Sequence, residues 1–238
     1  MTDEPDHDLE AQDVRARVLD AAVKLIGEGG VAALTTRAVA SVASVQAPTL
    51  YRLFGEKRGL LNAVAEHALA TFVAQKAAVE PHPDPVQDLS DAWDSYIAFG
   101  LANPAAFAII NELGVPTSAS PAALAGIAIL RERVLRIARA GRLAMPVERA
   151  IALIHAAGVG TVATLLALPL NERDGQLSST ARDAVLAAIL AEPATRVEDT
   201  GIAPLAVALG SRLGEAGDLT PGERLLLAEL LDRLSSSA

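Results

Sequence analysis

The chain contains no cysteine and few aromatic residues. Without cysteine it can form no disulfide and supply no thiolate. Aromatic residues make up 3% of the sequence, whereas hydrophobic residues make up 51%, with alanine, leucine and valine supplying the bulk. Runs of β-branched residues alternating with polar ones, which would indicate strands, are few. Because alanine and leucine favour helices, the sequence predicts an all-α fold.

The charge is unevenly distributed along the chain. Residues 1–12 carry five acids and no base, residues 13–60 carry seven bases against four acids, and the net charge of the whole chain is −9. Because DNA affinity depends on local neutralisation of phosphates, a small basic module on an acidic body is compatible with DNA binding. The N-terminus is acidic where a signal peptide would be basic, so we expect a cytoplasmic protein.

Glycines and capping residues divide the chain into helical segments. Gly29-Gly30 ends a first helix that starts near residue 13, and Gly55 precedes a long fourth helix. We expect a disordered acidic tail at 1–11, a helix-turn-helix domain at 12–58 and a helical effector-binding and dimerisation domain at 59–238. Proline follows a capping residue at four helix starts: Asp84-Pro85, Asn103-Pro104, Ser120-Pro121 and Thr220-Pro221. After the fourth helix, the predicted helices cover residues 85–101, 104–113, 121–141, 146–168, 177–191, 202–214 and 221–235.

Two short helices joined by a tight turn occupy residues 35–54. Thr35 is a good N-cap for the first of them, and Ala43-Ser44-Val45 forms the turn. We expect Ala40 and Val45 to pack where the helices cross and Leu50 to point into the core. A helix-turn-helix places the exposed N-terminal residues of its second helix in the major groove. Here those positions are Gln46, Ala47, Thr49, Tyr51 and Arg52.

Residues 18–64 resemble the DNA-binding domain of the tetracycline-repressor (TetR/AcrR) regulators. The most specific part is Thr49-Leu50-Tyr51-Arg52-Leu53-Phe54, followed by Lys57 and Leu60-Leu61. Thr35-x-Arg37-x-Val39-Ala40 and Val45 lie at the family's spacing. The resemblance implies a three-helix DNA-binding head joined by a long helix to a helical core that dimerises and binds a ligand.

The resemblance also implies a role for each DNA-binding residue. Thr35 and Thr36 would bind phosphate at a helix N-terminus, and Arg37 would reach a phosphate or a base edge. Gln46, Ala47 and Thr49 would face bases, and Tyr51 and Lys57 would grip the DNA backbone, with Arg52 beside them. Three residues depart from the family pattern: Ser44 replaces a common glycine, Gln46 a common serine or threonine cap, and Leu53 a common histidine.

An uncharged stretch at residues 150–171 allows three interpretations. It is long enough to span a membrane, but its alanine, glycine and threonine content and its charged flanks argue against that. Residues 158–163, with Asp183, match a dinucleotide-binding fingerprint, but no strand is predicted before them. We favour a helix buried at a subunit interface, because the resemblance implies a homodimer formed by helices 146–168 and 177–191. The small residues Ala156, Ala157, Gly158 and Gly160 would let two helices approach closely.

Four of the seven aromatic residues lie within residues 93–107. Such a cluster suits either a ligand pocket or a core, and the sequence leaves both open. The candidate ligand-binding residues are Trp93, Tyr96, Gly100, Phe107, Asn111 and His155. Asp88, Asp91 and Asp94 are expected to form the solvated face of the helix that carries Trp93.

The sequence therefore predicts a one-component transcriptional regulator. It would bind a palindromic double-stranded DNA operator as a homodimer, most often as a repressor, and be released by a small, mainly apolar effector. No metal-site cluster or phosphate-binding loop is present, so we expect neither an enzyme nor a cofactor or metal. A ligand-independent DNA-binding or architectural protein, and a membrane-associated protein with a helix-turn-helix head, are the alternatives.

Overall fold

The computed structural model describes residues 4–111, 120–191 and 201–236, and over these ranges it is helical without strands. An isolated antiparallel bridge joins Leu143 and Leu190. The all-α prediction is therefore confirmed. The helices are α1 (Glu4–Ala33), α2 (Thr36–Ala43), α3 (Ala47–Phe54), α4 (Lys57–Ala77), α5 (Pro85–Ala102), α6 (Pro104–Ile110), α7 (Pro121–Arg139), α8 (Val147–Leu166), α9 (Leu177–Ile189), α10 (Ile202–Arg212) and α11 (Pro221–Ser235).

Two compact units make up the chain. One comprises Met1–Ala78 and Phe99–Ala125, and the other Val79–Ala98 and Gly126–Ala238. Helices α1 to α4 belong to the first unit, which therefore contains the whole predicted helix-turn-helix. The division into domains 12–58 and 59–238 stays a prediction.

Helix α1 differs from the predicted first helix at its N-terminus. It begins at Glu4, inside the segment 1–11 for which the sequence predicts disorder. Glutamate, alanine and leucine favour helices, and acidic residues interact well with the positive end of a helix dipole. The predicted stop at Gly29-Gly30 is present as a kink, with φ at +67° at Gly30. Residues 1–3 of the predicted tail and 112–113 of a predicted helix lie outside the described residues.

Apolar residues of α1 to α4 form the core of the head. Val18 and Ala22 of α1, Val39 of α2, Leu50 of α3 and Val64 of α4 are buried in one cluster. The predicted anchors Ala40 and Val45 pack against this cluster and are partly buried. One face of each short helix is thus fixed by burial, which leaves the other face to solvent.

The turn between α2 and α3 ends α2 with a left-handed residue. Ser44 has φ 55° and ψ 45°, and it is the one non-glycine residue with positive φ in the described part of the chain. The backbone N–H of Val45 donates to Ala40 O at 2.9 Å, and that of Ser44 donates to Ser41 O at 3.3 Å. These two bonds form a Schellman motif, in which glycine is usual because it has no Cβ. Serine at this position therefore carries a small conformational cost.

In the second unit, Asp88 is buried, so the prediction that it lies on a solvated face is wrong. It is 6% exposed, whereas the sequence places it on a solvated face with Asp91 and Asp94, which are indeed exposed. Arg136 Nη1 donates to Asp88 Oδ2 at 2.7 Å, and Arg133 Nε lies 3.4 Å from the same oxygen. A carboxylate is retained in a buried position when cations pair with it, and here both cations come from α7.

Helix α8 contains most of the uncharged stretch. By length and composition it could cross a membrane, with a mean hydropathy of 1.5 over its most apolar window. A single such helix is weak evidence, because core helices pass the same test, and Ile151, Ile154, Val162 and Leu165 of α8 are buried within the protein. Residues 158–163 lie inside this helix, and no strand precedes them in the described ranges. The glycines of this fingerprint thus lie inside a helix, whereas a dinucleotide-binding motif places them in the turn between a strand and a helix.

Candidate DNA-binding surface and ligand site

The N-terminus of α2 carries the first group of predicted DNA contacts. Thr35 is its N-cap, and its Oγ1 accepts a hydrogen bond from Ala38 N at 3.1 Å. Because the oxygen acts there as acceptor, its hydrogen can still be donated to an outside acceptor. Thr35 and Arg37 are exposed and Thr36 is half-buried. Hydroxyl, guanidinium and backbone N–H groups at a helix start suit a phosphate.

Helix α3 begins without a side-chain cap. Gln46 occupies the N-cap position in an extended conformation and makes no capping hydrogen bond. The side chains of Gln46, Tyr51 and Arg52 are exposed and those of Ala47 and Thr49 are half-buried, whereas Leu50 is buried in the core. The start of α3 thus presents an uncapped backbone and an amide side chain to solvent.

Pro48 is an exposed residue of this surface that the sequence reasoning missed. It lies in the first turn of α3, three residues before Tyr51 and four before Arg52, so the three share one helix face. That spacing could have identified it. Its ring offers an apolar contact of the kind that recognises a thymine methyl group.

The start of α4 is held close to the end of α3 by two glycines. Gly55 has φ +68°, and a Cβ at Gly59 would overlap the carbonyl oxygen of Phe54 and lie 3.2 Å from its carbon. This close approach positions Lys57, the exposed first residue of α4, beside the C-terminus of α3. The side chain of Glu56, at the N-cap position of α4, makes no capping hydrogen bond.

Two neighbouring residues tie α4 to other helices of the first unit. His67 Nε2 lies 2.9 Å from Asp20 Oδ1 on α1. Glu66 accepts a hydrogen bond from Ser120 Oγ at 2.5 Å and one from Ala122 N at 2.7 Å. The carboxylate therefore caps the N-terminus of α7, where negative charge is favourable. Through the contacts of Glu66, α4 connects the DNA-binding head to the start of α7.

In the second unit, the aromatic residues of α5 pack on α8 and α9. Trp93 is 5% exposed, and its Nε1 donates to Ser178 Oγ of α9 at 3.1 Å. A Cβ at Gly158 would lie 3.2 Å from Tyr96 Cε1 and 3.9 Å from Trp93 Cζ3. Gly158 therefore lies under the two rings of its own chain, not on the subunit surface for which the sequence predicts it.

Burial shifts the pKa of two of these candidates. It raises the pKa of Tyr96 to about 12, so the phenol, which is already neutral near pH 7, keeps its proton to higher pH. It lowers the pKa of His155, which lies on α8 one turn before Gly158, so the neutral imidazole is favoured. Both groups are thus uncharged hydrogen-bonding groups in an apolar part of the second unit.

The remaining ligand candidates lie in the first unit. Gly100 and Phe107 are buried, and Asn111 is half-buried at the C-cap of α6. Asn111 Nδ2 donates to Phe107 O at 2.9 Å, so one of its two amide N–H bonds is engaged locally.

Helices α8 and α9 present small residues on their outer side. Ala152, Ala156, Gly160 and Ala163 of α8 are exposed at a spacing of three to four residues. Ala184, Ala187 and Ala188 of α9 are also exposed, while Val185 and Ile189 point into the protein. The pair therefore combines a buried aliphatic side with a flat outer side that another helix pair can approach closely.

Comparisons with known proteins agree with the helix-turn-helix. Residues 18–64 match the model of the bacterial regulatory proteins of the tetR family. The class A tetracycline repressor protein from transposon 1721 of Escherichia coli is 41% identical over 80 residues, which are 34% of this chain and 33% of the repressor. The chain thus matches about a third of the length of that curated relative.

Solved structures resemble a larger part of the chain. A TetR variant from Acinetobacter baumannii AYE, solved with minocycline, has a TM-score of 0.53 and 25% identity and covers 72% of this chain and 93% of its own. The RolR complex with resorcinol has a TM-score of 0.59 and 16% identity and covers 89% of this chain and 97% of its own. At 16% identity, the similarity to RolR shows a shared fold. Together with the geometry of α1 to α4, these matches show a DNA-binding domain of the tetR-family type at residues 18–64.

Proposed function

We propose that this regulator is a one-component repressor that binds a palindromic DNA operator as a homodimer and is released by a small, mainly apolar ligand. The observation that carries the proposal is the exposed start of α3. It projects from a closed apolar core, lacks a side-chain cap, and is followed by exposed Tyr51 and Arg52.

The exposed side chains divide into base-reading and backbone-binding groups. Gln46, Ala47 and Thr49, at the start of α3, would face base edges, where the amide of Gln46 can pair with adenine. The other groups would bind phosphates, which fix the position of the protein but carry no sequence information. They are Thr35, Thr36, Tyr51, Arg52 and Lys57, and Arg37 would reach either a phosphate or a base edge.

The outer side of α8 and α9 is the proposed dimer contact. A homodimer with a single helix-turn-helix per chain presents two equivalent readers, which requires a two-fold symmetric operator. Exposed alanine and glycine residues support this assignment, because they allow the helices of two subunits to approach closely. A face buried between two subunits would also account for the lack of charge at residues 150–171, with no need for a membrane.

Release by a ligand requires that the ligand bind the conformation without DNA more tightly than the DNA-bound one. The contacts of Glu66 and His67 support α4 as the element that transmits the change, since they join it to α7 and α1. The candidate pocket residues are those assigned from the sequence, with Tyr96 and His155 as neutral polar groups. Two structures of similar fold were solved with small organic molecules, minocycline and resorcinol.

One observation favours the ligand-independent alternative. Trp93 is almost fully buried and its N–H is bonded within the chain, as expected of a core residue. Under that alternative the protein would bind its operator without a releasing ligand. In both versions it would act in the cytoplasm, without catalysis or a cofactor.

Selection of DNA from a random duplex pool tests the proposal. The full-length protein should enrich a near-palindromic motif and bind it far more tightly than non-specific DNA at physiological salt, by about a thousandfold or more. Enrichment of no motif, with binding that salt abolishes equally on all duplexes, would overturn it.

A further inference from the structure

The two C-terminal helices form a helical hairpin. Ala206 and Val207 of α10 and Leu231 of α11 are buried, and a Cβ at Gly210 would lie 4.0 Å from Leu231 Cδ1. A capping box between Thr220 and Glu223 begins α11. Each helix thus uses one side for the contact with the other.

Both helices leave a second apolar side exposed. The exposed fractions lie between 44% and 67% for six large aliphatic residues: Ile202, Leu205 and Leu209 of α10, and Leu226, Leu230 and Leu234 of α11. On each helix the three residues recur at intervals of three or four, so they form a stripe. We call these six residues the hairpin stripe.

The two halves of the hairpin stripe lie on the same side of the hairpin. On α10 the stripe is about a quarter-turn from the inward positions Ala206 and Gly210, and on α11 it is about a quarter-turn from Leu231. Because α10 and α11 run antiparallel, the quarter-turn on each helix brings its exposed residues to the same side of the hairpin. Leu225 of α11 is 75% exposed but lies outside the stripe, beside the acidic Asp232.

Charge disfavours a membrane or nucleic acid as the partner of this face. Residues 202–235 carry three arginines against five acids. A helix that lies on a lipid surface typically has a lysine- and arginine-rich polar side, and a nucleic acid requires a positive surface. The stripe is therefore suited to a protein surface that is itself apolar.

The area of the hairpin stripe suits a second copy of this chain. Six residues exposed to this extent present on the order of 500 Å² per copy, so two copies would bury about 1,000 Å², the lower limit of specific interfaces. A contact between copies about a two-fold axis uses the same patch on both.

The hairpin is also anchored beside the proposed dimer helices. Arg212 Nη2, at the end of α10, donates to Arg139 O at 2.8 Å at the end of α7. The connection from α7 to α8 bonds to the end of α9, with Ala144 N donating to Ile189 O at 2.8 Å and Ala191 N donating to Arg142 O at 2.9 Å. The turn end of the hairpin thus contacts the end of α7, next to the connection that bonds to the end of α9.

From these observations we infer that the hairpin stripe packs against a second copy of the chain and extends the subunit interface beyond α8 and α9. This inference rests on the proposed homodimer. The hairpin then contributes to assembly, and operator affinity at low protein concentration depends on it because two heads must bind together.

Sedimentation equilibrium of the full-length protein tests the inference. The double variant Leu205→Glu, Leu230→Glu should raise the dissociation constant of the dimer at least tenfold, because each copy would bury two unpaired carboxylates. Leu225→Glu is the matched control: it adds the same charge to an exposed leucine of the same hairpin, and it should change the constant less than twofold. Circular dichroism confirms that all variants are folded.

A third variant, Ala156→Glu on the outer side of α8, separates this inference from the proposed function. If Ala156→Glu dissociates the dimer and the double variant does not, the hairpin inference is overturned and the proposed function stands. If the double variant dissociates the dimer and Ala156→Glu does not, the inference stands without the α8–α9 contact. A wild-type monomer at micromolar concentration overturns both. Binding of wild type to phosphatidylglycerol vesicles, lost in the double variant while assembly is unchanged, would also overturn the inference.

Discussion

At the scale of single residues, one missing methyl group sets the geometry of the DNA-binding head. Gly59→Ala would place a Cβ against the backbone of Phe54, which cannot rotate away as a flexible side chain can. The start of α4 must then move away from α3, and we expect a loss of about 1–3 kcal/mol in the free energy of unfolding. Operator affinity should fall with it, because Lys57 is displaced. Urea unfolding and fluorescence anisotropy measure the two effects.

Gly27→Ala is the control for this prediction. Gly27 lies within α1, is exposed, and has no atom within 4 Å of the position of a Cβ. Alanine there should stabilise the protein by about 0.5–1 kcal/mol, because glycine is a poor helix former. Equal effects of the two substitutions would contradict the close approach at Gly59.

The proposed contact between Lys57 and a DNA phosphate can be tested by substitution. Lys57→Ala should weaken binding to all DNA sequences alike and lower the slope of log K against log salt by about one unit, since one charge contact is lost. Lys24→Ala, which removes an exposed lysine of α1 that lies 4.0 Å from Glu28, should leave the slope unchanged. A changed base preference in Lys57→Ala, with intact affinity for the best site, would show that Lys57 reads bases instead.

Local residue patterns predicted single-residue features well where the cause is local. The N-cap role of Thr35 and the place of Ser44 in the turn follow from chemistry within a few residues. The buried position of Asp88 could not be predicted in this way. Its arginine partners are 45 and 48 positions away, and charge patterning along one helix does not reveal them.

At the scale of helices, the contact between Glu66 and the start of α7 is the most specific link of α4. Glu66→Ala would leave the hydroxyl of Ser120 and the N–H of Ala122 without their acceptor, at a cost of about 0.5–2 kcal/mol in the free energy of unfolding. Glu28→Ala, at an exposed position of α1, should cost close to nothing. Thermal unfolding of both variants measures the difference. A negligible effect of Glu66→Ala would show that the contact of Glu66 with the start of α7 does not stabilise the protein.

Helix boundaries could be predicted better than helix contacts. Proline after a capping residue located the starts of α5, α6, α7 and α11, and the structure agrees at each. The same patterns could not reveal that Glu66 meets Ser120, because the two residues are 54 positions apart and neither signals a partner. The short helical turn Leu170–Glu172 was also missed, since its sequence has no periodic apolar positions.

At the scale of the whole molecule, the DNA-binding and ligand-binding parts of the proposed function differ in how well the sequence predicts them. Residues 18–64 carry a motif pattern that is recognised directly from the sequence. The helical remainder matches no such pattern along its sequence, and its aromatic cluster fits both a pocket and a core. Tyr96 and Trp93 packed on Gly158 show the physical reason: aromatic rings at helical spacing stabilise a helix contact whether or not a ligand lies beside them.

The central claim is that two copies of α3 read a symmetric operator, and the motifs selected by wild type and by Thr49→Ala test it most directly. Both proteins are incubated with the same random duplex pool, and the enriched sequences are aligned. The account predicts a two-fold symmetric wild-type motif with half-sites about one helical turn apart. In Thr49→Ala the preference should relax at one base pair, at the same position in both half-sites, with a discrimination loss of about 1–3 kcal/mol there. An asymmetric wild-type motif, or a variant motif identical to that of wild type across all positions next to α3, would contradict it.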